Sequence, residues 1–268
     1  MLGKTADEVI REEVECVRAR RIILDQLEGG PKSGSELRES IRKDMTATLI
    51  EKKGKEQVKV EKVVVSDPKL YHNTKHLEDE GIIKSRKESK ERIYELCPRA
   101  VHPVRRALGI KRPLAYVASL EQPDDQRPFI LWLSKSKEFR PRNLLLFVEA
   151  RTWQRQVLRS VDRFIPDGTG GKWDTDWYDI PPEITSKQEG ADHGNLPAAY
   201  DFIRDIVIDY IPSHDIVVDL SMGTPLVQAA LTRMTEEYAL RGIYVEKYDV
   251  DGTVVTQVHP RESENEFW

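Results

Sequence analysis

The sequence predicts a two-part α/β protein: a small helical unit closed by a β-hairpin, then a doubly wound, mostly parallel sheet that ends in a second hairpin. Three observations predict it. Apolar side chains recur at helical spacing through the first half, short apolar runs alternate with helical stretches through the second, and the sign of the charge changes between them. Residues 1–110 carry 24 Lys and Arg against 20 Asp and Glu, and the remainder 18 against 26, so a half of +4 precedes one of −8. A basic and an acidic half point to two domains with different partners.

Composition narrows the class. The 268 residues are 39% hydrophobic and 33% charged, which fits modest cores under a well-solvated surface. No stretch approaches the roughly 18–20 consecutive apolar residues of a membrane span, and MLGKTADEVIREE has no apolar signal core. The expectation is a cytoplasmic protein with no membrane partner. Cys16 and Cys97 form no CxxC pair, and two cysteines are too few for a disulfide framework or a four-cysteine zinc site. His102 has no second ligand at metal spacing and reads as a surface or packing histidine. No metal, cofactor or catalytic residue is expected.

In the first half, Ile10, Val14, Val17, Leu24 and Leu27 fall close to a 3.6-residue period, which predicts one amphipathic helix over 7–28, stopped by Gly29, Gly30 and Pro31. Ser33 and Glu36 have capping-box spacing and open a second helix through Leu37 and Ile41. VKVEKVVV (58–65) reads as a strand. Ser66 or Asp67 can cap the next helix, with Pro68 in its first turn. Leu70, Thr74 and Leu77 share one face of it, with Lys69, His72, Asn73, Lys75 and His76 pointing away, and Gly81 supplies the stop. IIKSRK and ERIYEL then flank a turn at Glu88–Lys90.

Helix, glycine, Ile-Ile and basic hairpin resemble the recognition helix and wing of winged helix-turn-helix regulators of the ArsR type, over about residues 17–97. The resemblance implies double-stranded DNA as partner. Asn73, His72 and His76 are then placed to meet base edges, and Lys69, Lys75, Lys84, Arg86, Lys87, Lys90 and Arg92 to neutralise phosphates. About 20 residues (46–65) stand between the second and third helices where the family uses a few, so the second helix is extended or a strand pair is inserted. The domain is assigned to 1–97, and PRAVHPVRRALG begins a helical connector over 98–112.

From residue 113 to 260 strands and helices alternate. AYVASL (115–120), LLLFV (144–148), WYDI (177–180) and IVVDL (216–220) read as strands. RPFILWLSK (127–135) reads as a helix, as do stretches carrying Trp153, Val157, Val161 and Phe164, then Leu196, Tyr200, Ile203, Val207 and Tyr210, then Leu226, Ala230, Met234 and Tyr238. IYVEKY and TVVTQV close the chain as a hairpin about Asp251-Gly252. Alternation of this kind implies a Rossmann-like, mostly parallel sheet.

Ligands bind such sheets beyond the carboxyl ends of strands. Two loops qualify: the one beginning at Glu121 and Gln122, and DLSMGTP, with Asp219, Ser221, Met222, Gly223 and Thr224. The second loop resembles the D-x-[TS]-x-G-T-[K] loop of CRISPR-associated Rossmann-fold (CARF) domains. That resemblance implies a cyclic oligoadenylate or related nucleotide as ligand, a homodimer with the pocket across its axis, and a place in CRISPR defence. Pro225 stands where the family has lysine and Met222 where glycine is common, which removes a cation and crowds the backbone. The reading that results is a ligand-responsive DNA-binding transcriptional regulator. A slow ring nuclease and a dimeric adaptor that binds no DNA are the alternatives. A methyltransferase loop would carry more glycines and follow the first strand. GTGGK (168–172) lacks Walker A spacing, and His193 in DHGN reads as a solvated loop residue or a pocket wall.

Overall fold

Thr5 and Glu8 open the chain's first helix as a reciprocal cap: Thr5 Oγ1 accepts from Glu8 N, and Glu8 Oε2 accepts from Thr5 N. The computed structural model describes residues 4–53, 63–149, 159, 161, 163–165, 173–185, 194–248 and 254–260. These form two compact units, Met1–Ile110 and Lys111–Trp268.

The predicted helix over 7–28 is two helices, α1 (Ala6–Cys16) and α2 (Arg18–Glu28), separated by Val17 in extended backbone (φ −131°, ψ 101°). No glycine or proline marks the break, so apolar spacing runs through it unchanged. The reason for the break lies in packing: α1 lies on α5, a partner the period cannot show. The Ser33–Glu36 cap forms as read, with Ser33 Oγ accepting from Glu36 N and Glu36 Oε2 from Ser33 N. It opens α3 (Gly34–Lys53), whose 20 residues show that the second helix is extended. Residues 58–62 of the expected strand lie outside the described residues. Val63 and Val65 are buried and Val64 exposed, as in a strand, yet 63–66 join no ladder among the described residues.

Helix α4 (Asp67–Asp79) buries Leu70, Thr74 and Leu77 as expected. It ends at Gly81, whose φ of +67° turns the chain so that Gly81 N and Ile82 N reach the carbonyls of Glu78 and Leu77. The hairpin follows as β2 (Ile83–Glu88) and β3 (Glu91–Leu96), turning at Ser89-Lys90. A strand too short to read from sequence, β1 (Lys32–Ser33), pairs antiparallel with β3 and completes a three-stranded sheet. The expected connector is α5 (Pro98–Leu108), and it belongs to this unit: it packs on α1 and α2, and its Arg105 forms a buried ion pair with Glu28 of α2 (2.7 Å).

The second unit is a six-stranded sheet. Its strands are β4 (Leu114–Leu120), β5 (Asn143–Glu149), β6 (Asp174–Ile180), β7 (Asp215–Asp219), β8 (Arg241–Val245) and β9 (Val255–His259), in spatial order β6-β5-β4-β7-β8-β9. All pairs are parallel except β8 with β9, so the terminal hairpin is present as expected. The Asp251-Gly252 turn itself lies outside the described residues. Helices α6 (Gln126–Lys135), α8 (Leu196–Val207) and α9 (Pro225–Glu237) match expected ones, and a short α7 (Pro182–Thr185) begins the loop after β6. The expected helix about Trp153 and Val157 lies outside the described residues, as do GTGGK and His193. On one face Tyr116, Phe129, Phe139, Leu146 and Ile243 share a core, and on the other Phe147 meets Phe202 of α8. Covering on both faces explains why β4, β5 and β7 read as unbroken apolar runs. Among the described residues no helix is long and apolar enough to cross a membrane.

Candidate functional site

Strand order reverses between β4 and β7: the chain adds strands on one side of β4 as far as β6, then returns to pair β7 on its other side. Open α/β sheets bind ligands beyond the strands' carboxyl ends at such a reversal, because the two connections leaving it diverge over opposite faces. The loop from Asp219 to Thr224 leaves β7 there. It closes on β4 because Gly223, at φ +105°, brings its backbone against Ser119; a Cβ on Gly223 would stand 2.5 Å from Ser119 Oγ. Only glycine tolerates both that φ and that approach.

Below the loop sits a polar hub. Asp219 is 1% exposed, and its carboxylate accepts from Tyr116 OH (2.6 Å), Tyr248 OH (2.8 Å), Ser221 N (2.9 Å) and Ser221 Oγ (2.5 Å). Ser221 Oγ in turn accepts from Val245 N of β8 (2.6 Å). Burial pushes the Asp219 carboxyl up from its ordinary value, against hydrogen bonds from Ser221, Tyr116 and Tyr248 that pull it down. Burial likewise raises both tyrosine hydroxyls well above the ordinary range. Tyr248 is seated by edge-on contacts with Phe129 and Trp132.

Three of the expected ligand contacts have partners within the protein: the Asp219 carboxylate accepts four hydrogen bonds in the hub, Ser221 Oγ links it to Val245 N, and Met222 packs against the apolar cluster. Glu121 and Gln122 are exposed at the end of β4, where Gln122 N donates to Asp125 and the pair caps a 3₁₀ turn. The Gly223 backbone is buried against β4, and α9 starts directly after it. Thr224 is the N-cap residue of that helix but makes no side-chain capping bond, and its Oγ1 is buried without a hydrogen-bond partner among the described residues. Pro225 takes the first helical position. The first amides of α9 and the Thr224 hydroxyl are the donors left for an anion.

Sequence reasoning missed Ser119, Tyr116 and Tyr248. Ser119 carried a signal: it is the polar residue in the apolar run AYVASL, and at 3% exposure it is buried beside Gly223. The tyrosines carried none, since either could fill an apolar core.

In the N-terminal unit, Lys69, His72 and Lys75 of α4 and Lys84, Arg86, Lys87, Lys90 and Arg92 of the hairpin are exposed. Asn73 and His76 are not placed as expected. Asn73 is 5% exposed, donates to the Lys69 carbonyl and accepts from Arg20 Nε, and His76 Nε2 lies 3.0 Å from Glu13. Both sides of α4 next to its apolar stripe are therefore used to hold it against α1 and α2. Burial pushes the Glu13 carboxyl up, but hydrogen bonds with His76 and Arg20 outweigh it and hold the group below its ordinary value.

No protein-family model matches the chain, and no curated protein does. Solved structures resemble part of it, among them the following three. Csm6 from Enterococcus italicus, bound to cyclic hexa-2'-fluoro-hexa-dAMP, is 12% identical over 55% of this chain and 42% of its own, with a TM-score of 0.41. Can2 from Sulfobacillus thermosulfidooxidans, in complex with cyclic tetra-adenylate, is 18% identical over 56% of this chain and 36% of its own, with a TM-score of 0.38. VC1899 from Vibrio cholerae is 17% identical over 56% of this chain and 37% of its own, with a TM-score of 0.34. The match spans less than half of each of those chains. Likenesses this distant carry no weight for the site, which stands on its own geometry.

Proposed function

We propose that this protein is a ligand-responsive DNA-binding regulator linked to CRISPR defence, whose C-terminal unit senses a nucleotide, with cyclic oligoadenylate as the candidate. The observation that carries the sensing half is the α9 start at the strand-order reversal, where Gly223 lets the loop close on Ser119 and Thr224 leaves a buried hydroxyl unpaired among the described residues. A phosphate held by helix-start amides needs no lysine, so the loss of the family's cation at Pro225 weakens binding without abolishing it. The expected result is micromolar binding of cyclic tetra- or hexa-adenylate, with little cleavage, by calorimetry against the linear forms. Pro225→Lys is expected to tighten it, because the exposed Pro225 can be replaced without loss of packing. Silence across the panel, with the fold intact, overturns the assignment.

The DNA-binding half is supported by element order. Helix, short strand, two helices and a hairpin, with β1 joining β3, fit the element order expected of a winged helix, and the hairpin offers five exposed cations. Several are paired, Lys84 with Glu95, Arg86 with Glu88 and Glu95, and Arg92 with Glu78. Surface pairs of this kind are worth about 0–1 kcal/mol and yield readily to a phosphate. Double-stranded DNA read in palindromic half-sites calls for a homodimer. Light scattering at micromolar concentration is expected to return twice the 30.9 kDa chain mass, and a monomer mass overturns this part.

A further inference from the structure

In the N-terminal unit a cleft of about 290 Å³ opens where the first turns of α3 and α4 meet the turn end of the β2–β3 hairpin. Ser35 and Arg38 enter it from α3, Asp67 and Tyr71 from α4, and Lys90 and Arg92 from the hairpin. Its size sits at the lower edge of small-molecule pockets, about 300–1,000 Å³, and suits a single nucleotide unit rather than a longer ligand. Three cations stand against two carboxylates, and both carboxylates are engaged: Asp67 with Arg38, and Glu91 with Ser35 Oγ (2.8 Å). Arg38 keeps capacity in reserve, since its Nε is buried with no hydrogen-bond partner among the described residues. Beside these charges stands Tyr71, 58% exposed, one of the few large apolar side chains open to solvent among the described residues. Cations around an anion-sized recess with an open aromatic ring at the rim is the chemistry that recognises a nucleotide: phosphate on the guanidinium, sugar or base on the ring.

We propose that this cleft seats one phosphate of a nucleic-acid backbone, with Arg38 as its anchor, Tyr71 packing on the adjoining nucleotide, and Asp67 as a built-in competitor that holds Arg38 until the phosphate displaces it. The assignment rests on the DNA-binding reading and adds Ser35, Arg38 and Tyr71 to its surface. It also makes a prediction of opposite signs. Arg38→Gln removes the anchor, whereas Asp67→Asn removes the competitor.

The test is fluorescence anisotropy of the full chain with a labelled mixed-sequence duplex across a salt series. Arg38→Gln is expected to weaken binding on the order of tenfold and to lower the slope of log K against log salt by about 0.9. Asp67→Asn is expected to bind several-fold tighter, and that gain is expected to shrink in the Arg38→Gln background, which a general change of charge would not produce. Arg38 and Asp67 are both solvent-accessible, and a thermal melt of each variant confirms that the unit stays folded. If the parent binds DNA and both variants bind like it, the cleft is not a phosphate seat, while the DNA-binding reading stands. If the parent binds no duplex, that reading fails, and the seat is tested with AMP and inorganic phosphate by calorimetry. Binding lost in Arg38→Gln then upholds an anion seat for a free nucleotide, and no binding overturns the seat as well.

Discussion

Asp219→Ala is expected to destabilise the C-terminal unit by about 3–5 kcal/mol, because it strands two buried tyrosine hydroxyls and the Ser221 amide that now share one carboxylate. Relief of the buried charge offsets part of that loss. All five tryptophans lie in this unit, so the urea midpoint of their fluorescence reads it selectively. Asp219→Asn is expected to cost less, since the amide keeps one acceptor oxygen. The pair also separates by pH. Because the folded carboxyl is raised, the native state holds its proton more tightly than the unfolded chain does. That contribution is present below the unfolded value of about 4 and is lost as pH rises through the folded one. The parent is therefore expected to lose stability relative to Asp219→Asn as pH climbs from about 4, and a difference that stays flat with pH would show that the carboxyl is not perturbed. A midpoint unchanged in Asp219→Ala removes the hub from the account altogether.

Gly223→Val is expected to abolish nucleotide binding, with a loss on the order of 100-fold or more by calorimetry, equal to two direct charge-assisted hydrogen bonds. Two physical causes act together and can be separated. The valine Cβ would overlap Ser119, at 2.5 Å from its Oγ and 2.7 Å from its Cβ, and the backbone would be held at φ +105° where L side chains rarely sit. Gly223→Ala with Ser119→Gly removes the overlap but keeps the backbone strain, so partial recovery of binding identifies the overlap as the larger cause. The loop leaves a central strand and packs on the buried Ser119, so the tryptophan-reported transition is expected to fall in Gly223→Val, and binding is compared under conditions where that transition shows the variant still folded. Binding that survives Gly223→Val moves the ligand away from this loop.

Short-range chemistry settled much of this protein from sequence alone. The Ser33–Glu36 cap, the buried stripe of α4, the stop at Gly81 and the apolar runs of β4, β5 and β7 all depend on residues within a few positions of one another, and all appear where the pattern puts them. Periodicity reports which face of an element is buried, however, and not what buries it. For that reason the break at Val17, the two-residue β1 and the membership of α5 in the first unit emerged only with tertiary contacts. The same limit applied to Asn73 and His76, which have the side chains of base readers but are drawn inward by Arg20 and Glu13.

At the candidate site the division is sharper. The motif in 219–224 and the turn at Gly223 were legible, because a glycine before a helix start announces a loop that must approach something closely. Strand order was not legible, since it depends on how helices pack over both faces, and so neither was the reversal that puts this loop beside Ser119. Nor could the sequence assign Asp219 and Ser221. Both are polar residues after a buried strand, equally fit to meet a ligand or to brace a loop. The bracing of Asp219 became visible only in the fold, where Tyr116 and Tyr248, 103 and 29 positions away in the chain, donate to its carboxylate.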